Sequence, residues 1–426
     1  MTSEVQARKA ATEIPSTVVD AWLTALENLV SVRSPISERL FERLTTRTHF
    51  TDSQRKRLQR LEPWARASQD ADTNPSVKPG EIPFAVMGYR APDYREASRN
   101  IGDWVQTLAI MSHVVRRPSV TLSGDLQLAR VFSELQDQVP ESKRLAGPQA
   151  TLRLCELNRD SSEYDSLPDG TWAFVFGWFM KRPFGKQHPF PLNSNVRPIF
   201  VSFHISRPDF LTAKTTEYLR KYGPIGCRDW FTVRLLQKAE VPAYFSGCVT
   251  TTVGRLFENR NPSNDKPTVY VDAQAPEGLS APSTLTNLDN SLRNSNLSGG
   301  LSNALERLRR YREDYSKVVT SRLHTYLPCK SMGVPVVWAP ENPNDRRFGG
   351  LAGDSSESIE HMADRISEIM QTVLDAILRG QSESEVYSTY RELVALDVAW
   401  TADRTANRDA AQANAASSVL NRDSKG

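Results

Sequence analysis

Two arginines and a histidine stand where this chain could do chemistry. Arg322 and His324 follow the apolar run Val318-Val319-Thr320 and open a stretch that reads as a helix, stopped by Gly333 ahead of a second apolar run at Val334-Pro335-Val336-Val337. A strand, a helix and a further strand in that order build parallel sheets. Ligands of such sheets bind beyond the carboxyl ends of the strands. Arg322 and His324 sit in that place, beside the free N–H groups of a helix start, which favour anions. Pro328 cannot donate to the carbonyl of His324, so that oxygen is left for another partner. Taken alone, Arg-Leu-His fits a surface arginine and a solvated histidine equally well.

Two further turns carry polar residues suited to a ligand. Asn100-Ile101-Gly102-Asp103 opens one helix, and Cys227-Arg228-Asp229 opens another, with Asp229 a good N-cap. Together with Ser321 and Leu323 they supply the candidate substrate-binding positions Asn100, Gly102, Asp103, Cys227, Asp229, Ser321 and Leu323. Arg228 and Arg322 would point into a cleft from opposite walls. Two guanidinium forks backed by helix starts suit a carboxylate or a phosphate. The alternative for Arg228 is a scaffold pair with Asp229. His204 closes an apolar strand and reads as a core or cleft-wall residue, while His49, His113, His188 and His361 have no motif around them.

Positioning these turns requires a layered α/β chain. Residues 1–80 read as helices, with a stripe at Val19, Trp22, Leu23, Leu26 and Leu29, a helix after Ser34-Pro35, and a capping box at Thr51 to Gln54. Their apolar faces need cover from the main body or from a second copy of the chain. Ser68 to Gly80 reads as a linker. Strands then alternate with helices from Phe84 onward, and the long loop after Gly177 carries Lys181, Arg182 and His188. A polar, proline-containing stretch from Asn259 to Pro267 marks a domain boundary. The expected division is 1–80, a helical extension; 81–260 and 266–400, two Rossmann-like domains facing a cleft, the second with terminal helices; and 401–426, a flexible tail. Ser280 to Gly300 reads as a mobile surface loop, and Asp354 with Glu357 as the cap of a late helix.

Composition narrows the function classes. The 426 residues carry a formal charge of +3, with 39% apolar and 24% charged residues. That balance shows no nucleic-acid footprint. No apolar run reaches bilayer-spanning length, and the first residues lack the apolar core of a signal peptide. Cys155, Cys227, Cys248 and Cys329 are scattered without metal-ligand spacing, which suits a reducing cytoplasm and no metal.

The chain resembles the polysaccharide pyruvyl transferase family. The residues that carry the resemblance are Phe200-Val201-Ser202-Phe203-His204, Gly223-Pro224-Ile225-Gly226-Cys227-Arg228-Asp229, Phe245-Ser246-Gly247-Cys248-Val249-Thr250, Val319-Thr320-Ser321-Arg322-Leu323-His324 and Gly333-Val334-Pro335-Val336, with Asn100-Ile101-Gly102-Asp103 ahead of them. It spans about residues 84 to 350, and residues 1–80 have no counterpart in it. After the first strand stands Tyr89-Arg90-Ala91-Pro92-Asp93-Tyr94 where the family has a glycine-rich turn. The resemblance implies a two-domain architecture similar to GT-B glycosyltransferases. It also implies transfer of the enolpyruvyl unit of phosphoenolpyruvate onto two hydroxyls of a sugar or glycan, as in exopolysaccharide modification, with no further cofactor. Arg228 and Arg322 would then hold the donor's carboxylate and phosphate, with His324 at the reacting centre. The competing expectations are a GT-B-like glycosyltransferase using a nucleotide sugar, and a binding protein on the same fold.

Overall fold

The computed structural model describes residues 15–47, 49–70, 75–92, 98–186, 188–259, 265–278, 282–353 and 358–407. Most of the expected boundary, Asp354 with Glu357, and the chain beyond 407 lie outside these residues.

Three helices come first, α1 (Ser16–Ser31), α2 (Ile36–Arg47) and α3 (Asp52–Asp70). The stripe on α1 is buried at Val19, Leu23, Leu26 and Val30. Thr51 and Gln54 cap α3 reciprocally, backbone N–H to side-chain oxygen in both directions, at 3.1 and 3.3 Å. The three helices share a small apolar core of their own. Its cover is the main body: Trp64 stands edge-on to Tyr164 and Phe184 at 5.4 and 5.2 Å, and the Tyr164 hydroxyl donates to the Val30 carbonyl.

The main body is mixed α/β with two wholly parallel, Rossmann-like sheets. Seven strands, β1 (Glu81–Gly88), β2 (Val120–Gly124), β3 (Ala150–Asn158), β4 (Thr171–Trp178), β5 (Val196–His204), β6 (Ile225–Cys227) and β7 (Ala243–Phe245), lie in the order β2-β3-β1-β4-β5-β6-β7. The order reverses direction between β1 and β4, the crevice position for a ligand in such sheets. Four more, β8 (Thr268–Val271), β9 (Ser283–Leu285), β10 (Lys317–Thr320) and β11 (Val336–Trp338), lie in the order β11-β10-β8-β9. The inner strands are near-continuous apolar runs because helices cover both faces.

Helix α4 (Ile101–Val115) is buried along its whole length. Helices α5 (Leu126–Gln138), α6 (Ala213–Tyr222), α7 (Trp230–Lys238), α8 (Leu297–Glu313) and α9 (Leu323–Ser331) link successive strands. Gly300 on α8 lets the Trp104 ring of α4 come so close that a Cβ there would stand 2.5 Å from it. One apolar core therefore runs unbroken from the first sheet to the second.

Helices α10 (Ile359–Leu378) and α11 (Glu383–Leu393) return to the first sheet. Tyr390 donates to the Phe200 and Pro224 carbonyls, Tyr387 to Pro198, and Arg117 meets Asp375 at 2.8 Å. Ser358 caps α10, accepting from the His361 N–H. The chain stays helical from 401 to 407, with Thr401 buried and accepting from the Phe245 N–H, so the expected tail does not begin at 401. No helix among the described residues is long and apolar enough to cross a membrane.

The expected loop from Ser280 to Gly300 is built structure over its described residues. It holds β9, a 3-10 turn at Asn290–Asn294 and the start of α8. Its polar residues are caps: Asp289 accepts from Ser291, and Asn296 accepts from Gly299. Polarity there reflects turn and cap chemistry, which composition alone does not separate from disorder.

Candidate active site

Strand ends from both sheets meet at one cavity of ≈ 290 Å³. The first sheet contributes Asp103, Arg159, Trp178, Lys181 and Arg228, and the second contributes Asn287, Ser321, Arg322, Leu323, His324 and Arg347. Ser98 and Asn100 join the wall on the side of α4, and Phe348 beside Arg347. Arg159, Lys181, Arg228, Arg322 and Arg347 line the cavity beside one acid, Asp103, while Asp160, Asp229, Asp272 and Asp345 pair with four of these cations from behind.

Each functional side chain is held by a local device. Arg322 precedes α9, its N–H bonded to Thr320 Oγ1 at 3.0 Å and its Nε to Asp272 Oδ2 at 2.8 Å. Asp272 ends β8 with φ 46°, a left-handed conformation that costs a non-glycine residue about 1–2 kcal/mol. That bend lets the same carboxylate oxygen accept from the Asn287 N–H at 2.9 Å. Asn287 in turn accepts from Thr325 of α9 at 3.2 Å, and its carbonyl accepts from the Ile101 N–H at 2.9 Å. The segment after β9 thereby clips the start of α4 to the start of α9.

Asn100 caps α4 by accepting from the Gly102 N–H at 3.1 Å. Gly102 is required for a different reason: a Cβ on it would lie 2.6 Å from the Cβ of His324. Asp103 accepts from Ser98 at 2.5 Å, and its Oδ2 stands 3.7 Å from buried Arg159, whose other partner is Asp160 at 2.8 Å.

His324 is half-buried at the wall, with its Nε2 enclosed and without a hydrogen-bond partner among the described residues. Burial, then the charge of Arg228, the neighbouring His204 and the charge of Arg347, hold its imidazole well below the usual histidine range, so it is neutral at pH 7.

Arg228 is 4% exposed and touches both the cavity and Asp229, whose Oδ2 is 3.6 Å from its Nε. The scaffold reading and the cavity reading of this arginine hold together. Asp229 caps α7, accepting from the Thr232 N–H at 2.9 Å, and its other oxygen lies 2.5 Å from His204 Nδ1. Burial pushes the Asp229 carboxyl up, but His204, Arg228 and the Thr232 N–H outweigh it and hold it low, as a carboxylate. Burial, then Arg228, depresses His204, which is therefore a neutral imidazole beside a carboxylate.

A bulge aims His204. Between Val175/Phe200 and Gly177/Phe203 the β4–β5 register gains one residue on β5, and Ser202 there has φ 62°. Ser202 accepts from the Val249 N–H and is bonded through its own N–H to Ser246, both at 3.0 Å, which fixes the bulge. One inserted residue reverses the side-chain alternation beyond it.

Of the residues expected from sequence, Asn100, Asp103, Arg228, Ser321, Arg322, Leu323 and His324 share the cavity, and Gly102 and Asp229 lie directly behind it. Cys227 does not reach it: fully buried, its thiol faces the Ile225 carbonyl at 3.4 Å. Sequence reasoning missed Arg159, Trp178, Asn287 and Arg347, each of which follows or closes a strand. The loop carrying Lys181 was singled out only for its length. Among the described residues no group of His, Cys, Asp or Glu could hold a metal ion. Comparisons with family models, with curated proteins and with solved structures return no match for this chain.

Proposed function

We propose that the chain is a pyruvyl (ketal) transferase, moving the enolpyruvyl unit of phosphoenolpyruvate onto two hydroxyls of a sugar or glycan with release of phosphate. The observation that carries this reading is a small cavity lined by four arginines and a lysine, with a neutral imidazole in its wall. Such a site suits a compact donor with several negative charges whose carbon must gain a proton. The two parallel sheets with facing strand ends fit a GT-B-like pair of Rossmann-like domains, and the motif resemblance points the same way.

The chemistry balances with groups at hand. A proton adds to the donor methylene, which becomes a methyl group and leaves an oxocarbenium-like carbon. One sugar hydroxyl adds to that carbon and loses its proton. Phosphate then departs with its bonding pair, and the second hydroxyl adds and loses its proton. Of the two protons released, one replaces that given to the methyl group and the other leaves on phosphate. Arg228, Arg322 and Arg347 support the carboxylate and the departing phosphate. His324 delivers the methylene proton: burial, then the arginine charges, keep this imidazole unprotonated in the free protein, and the donor's negative charge offsets the arginine part and favours the imidazolium.

Calorimetric titration with phosphoenolpyruvate, beside a phosphate-release assay with glycan acceptors, tests the reading. Arg322→Lys keeps the charge and loses the planar fork, so donor binding should weaken by ~1–3 kcal/mol. A protein that ignores phosphoenolpyruvate but binds nucleotide sugars would instead be a glycosyltransferase.

A further inference from the structure

We propose that the second cavity beside the donor site, walled by Trp178, Ser206, Asn342, Asn344 and Arg346 over a floor of His204, is the subsite for a neutral sugar acceptor. The inference rests on the pyruvyl-transfer reading and adds where the acceptor sits and which group takes its proton. The two cavities share Trp178 and Arg347 in their walls. A sugar in the second therefore presents its hydroxyls to a donor in the first.

The chemistry of the two walls differs. The donor cavity is lined by four arginines and a lysine. In the second, of ≈ 430 Å³, Asp345 neutralises Arg347 at 2.5 Å, and Arg346 lies over the Phe231 ring at 5.2 Å. Beside these charged groups stand two amides, a hydroxyl and an aromatic face, the set that binds polyhydroxyl rings. Trp178 is 39% exposed at the end of a strand otherwise buried throughout, which is costly unless its face meets a ligand. The volume holds one or two pyranose rings.

His204 supplies the independent observation. It is fully buried, Asp229 and Thr232 engage its Nδ1 at 2.5 and 3.0 Å, and its Nε2 has no partner among the described residues. Thr232 Oγ1 donates to Asp229 Oδ1 or to the Ile205 carbonyl and so accepts from His204 Nδ1; with the Asp229 carboxylate also beside it, the proton sits on Nδ1 and Nε2 carries the lone pair. As the acceptor hydroxyl attacks, its O–H bond breaks, the proton passes to Nε2, and the oxygen pair forms the bond to the donor carbon. His324 and His204 thus divide the acid and base roles.

Three variants test this, with methyl gluco-, manno- and galactopyranosides as probes. Ser206→Phe fills the second cavity without touching the first, and Trp178→Ala removes the platform. Both should raise the acceptor KM by about tenfold or more while Ser206→Phe leaves phosphoenolpyruvate binding unchanged. His204→Gln should lower kcat by ~100-fold with donor binding kept. An unchanged acceptor KM in both wall variants overturns the subsite, and normal kcat in a folded His204→Gln overturns the base. If the parent does not bind phosphoenolpyruvate, the pyruvyl reading fails on its own. Saturation-transfer NMR with the same glycosides then decides the subsite: transfer lost in Ser206→Phe supports it, while transfer retained, or absent from the parent, overturns it.

Discussion

His324 concentrates the residue-scale argument, because its protonation is set by its neighbours rather than by its own chemistry. Burial first, then the charges of Arg228 and Arg347, keep it neutral in the free protein. A donor anion placed among those arginines removes the repulsion, so the imidazole should take up a proton as the donor binds. Titrating phosphoenolpyruvate in buffers of different ionisation enthalpy near neutral pH should reveal this uptake, and His324→Gln should reduce it. Equal uptake in parent and variant would assign the proton elsewhere.

At the scale of elements, two helix starts are made to touch. Gly102 opens α4 within van der Waals contact of His324 on α9, and the added Cβ of Gly102→Ala would overlap its Cβ at 2.6 Å. The substitution removes no functional group. Turnover should nevertheless fall, and stability should drop by about 1–3 kcal/mol, the usual cost of overpacking. Activity assays beside urea unfolding check both; unchanged turnover would show that His324 need not be held so tightly.

Helix α4 also carries a buried titrating group in its interior. His113 is fully buried, its Nε2 3.3 Å from Thr252 Oγ1, and burial with Arg116, Arg255 and Arg117 holds it well below the usual range. The unfolded chain binds this proton more readily, so folding stability is lost as pH falls through the ordinary imidazole value of 6.5. His204 and His324 act in the same sense. Asp165, raised by burial, acts in the opposite one. His113→Gln isolates one contribution: between pH ~7 and ~5 its unfolding free energy should decline less than the parent's.

For the molecule as a whole, the N-terminal helices are a separate core fastened by one aromatic cluster. Trp64→Ala removes the ring that meets Tyr164 and Phe184 and should cost ~3–5 kcal/mol, as large aromatic truncations do. Loss of cooperativity in thermal unfolding, with the helices melting first, is the expected signature. A single transition at the parent's temperature would show that the cluster does not couple them.

Much of this architecture was legible in the chain itself. Apolar runs bounded by turn residues marked the main strands, and Asn100 and Asp229 marked helix starts, because strand periodicity and capping are local physics. The same locality placed Asn100, Asp103, Arg228, Arg322 and His324 at strand ends, where a parallel sheet exposes its ligand side. Tertiary structure alone decided which strand ends share a cavity. Arg159, Trp178 and Arg347 join the site through sheet order and a loop after β11, contacts separated by up to half the chain. His204 read as a core or cleft-wall residue, and it is buried in a cavity wall; the one-residue bulge at Ser202 and the carboxylate twenty-five residues away that orient it were not legible. Register and long-range pairing set its role, and neither leaves a mark in the local sequence.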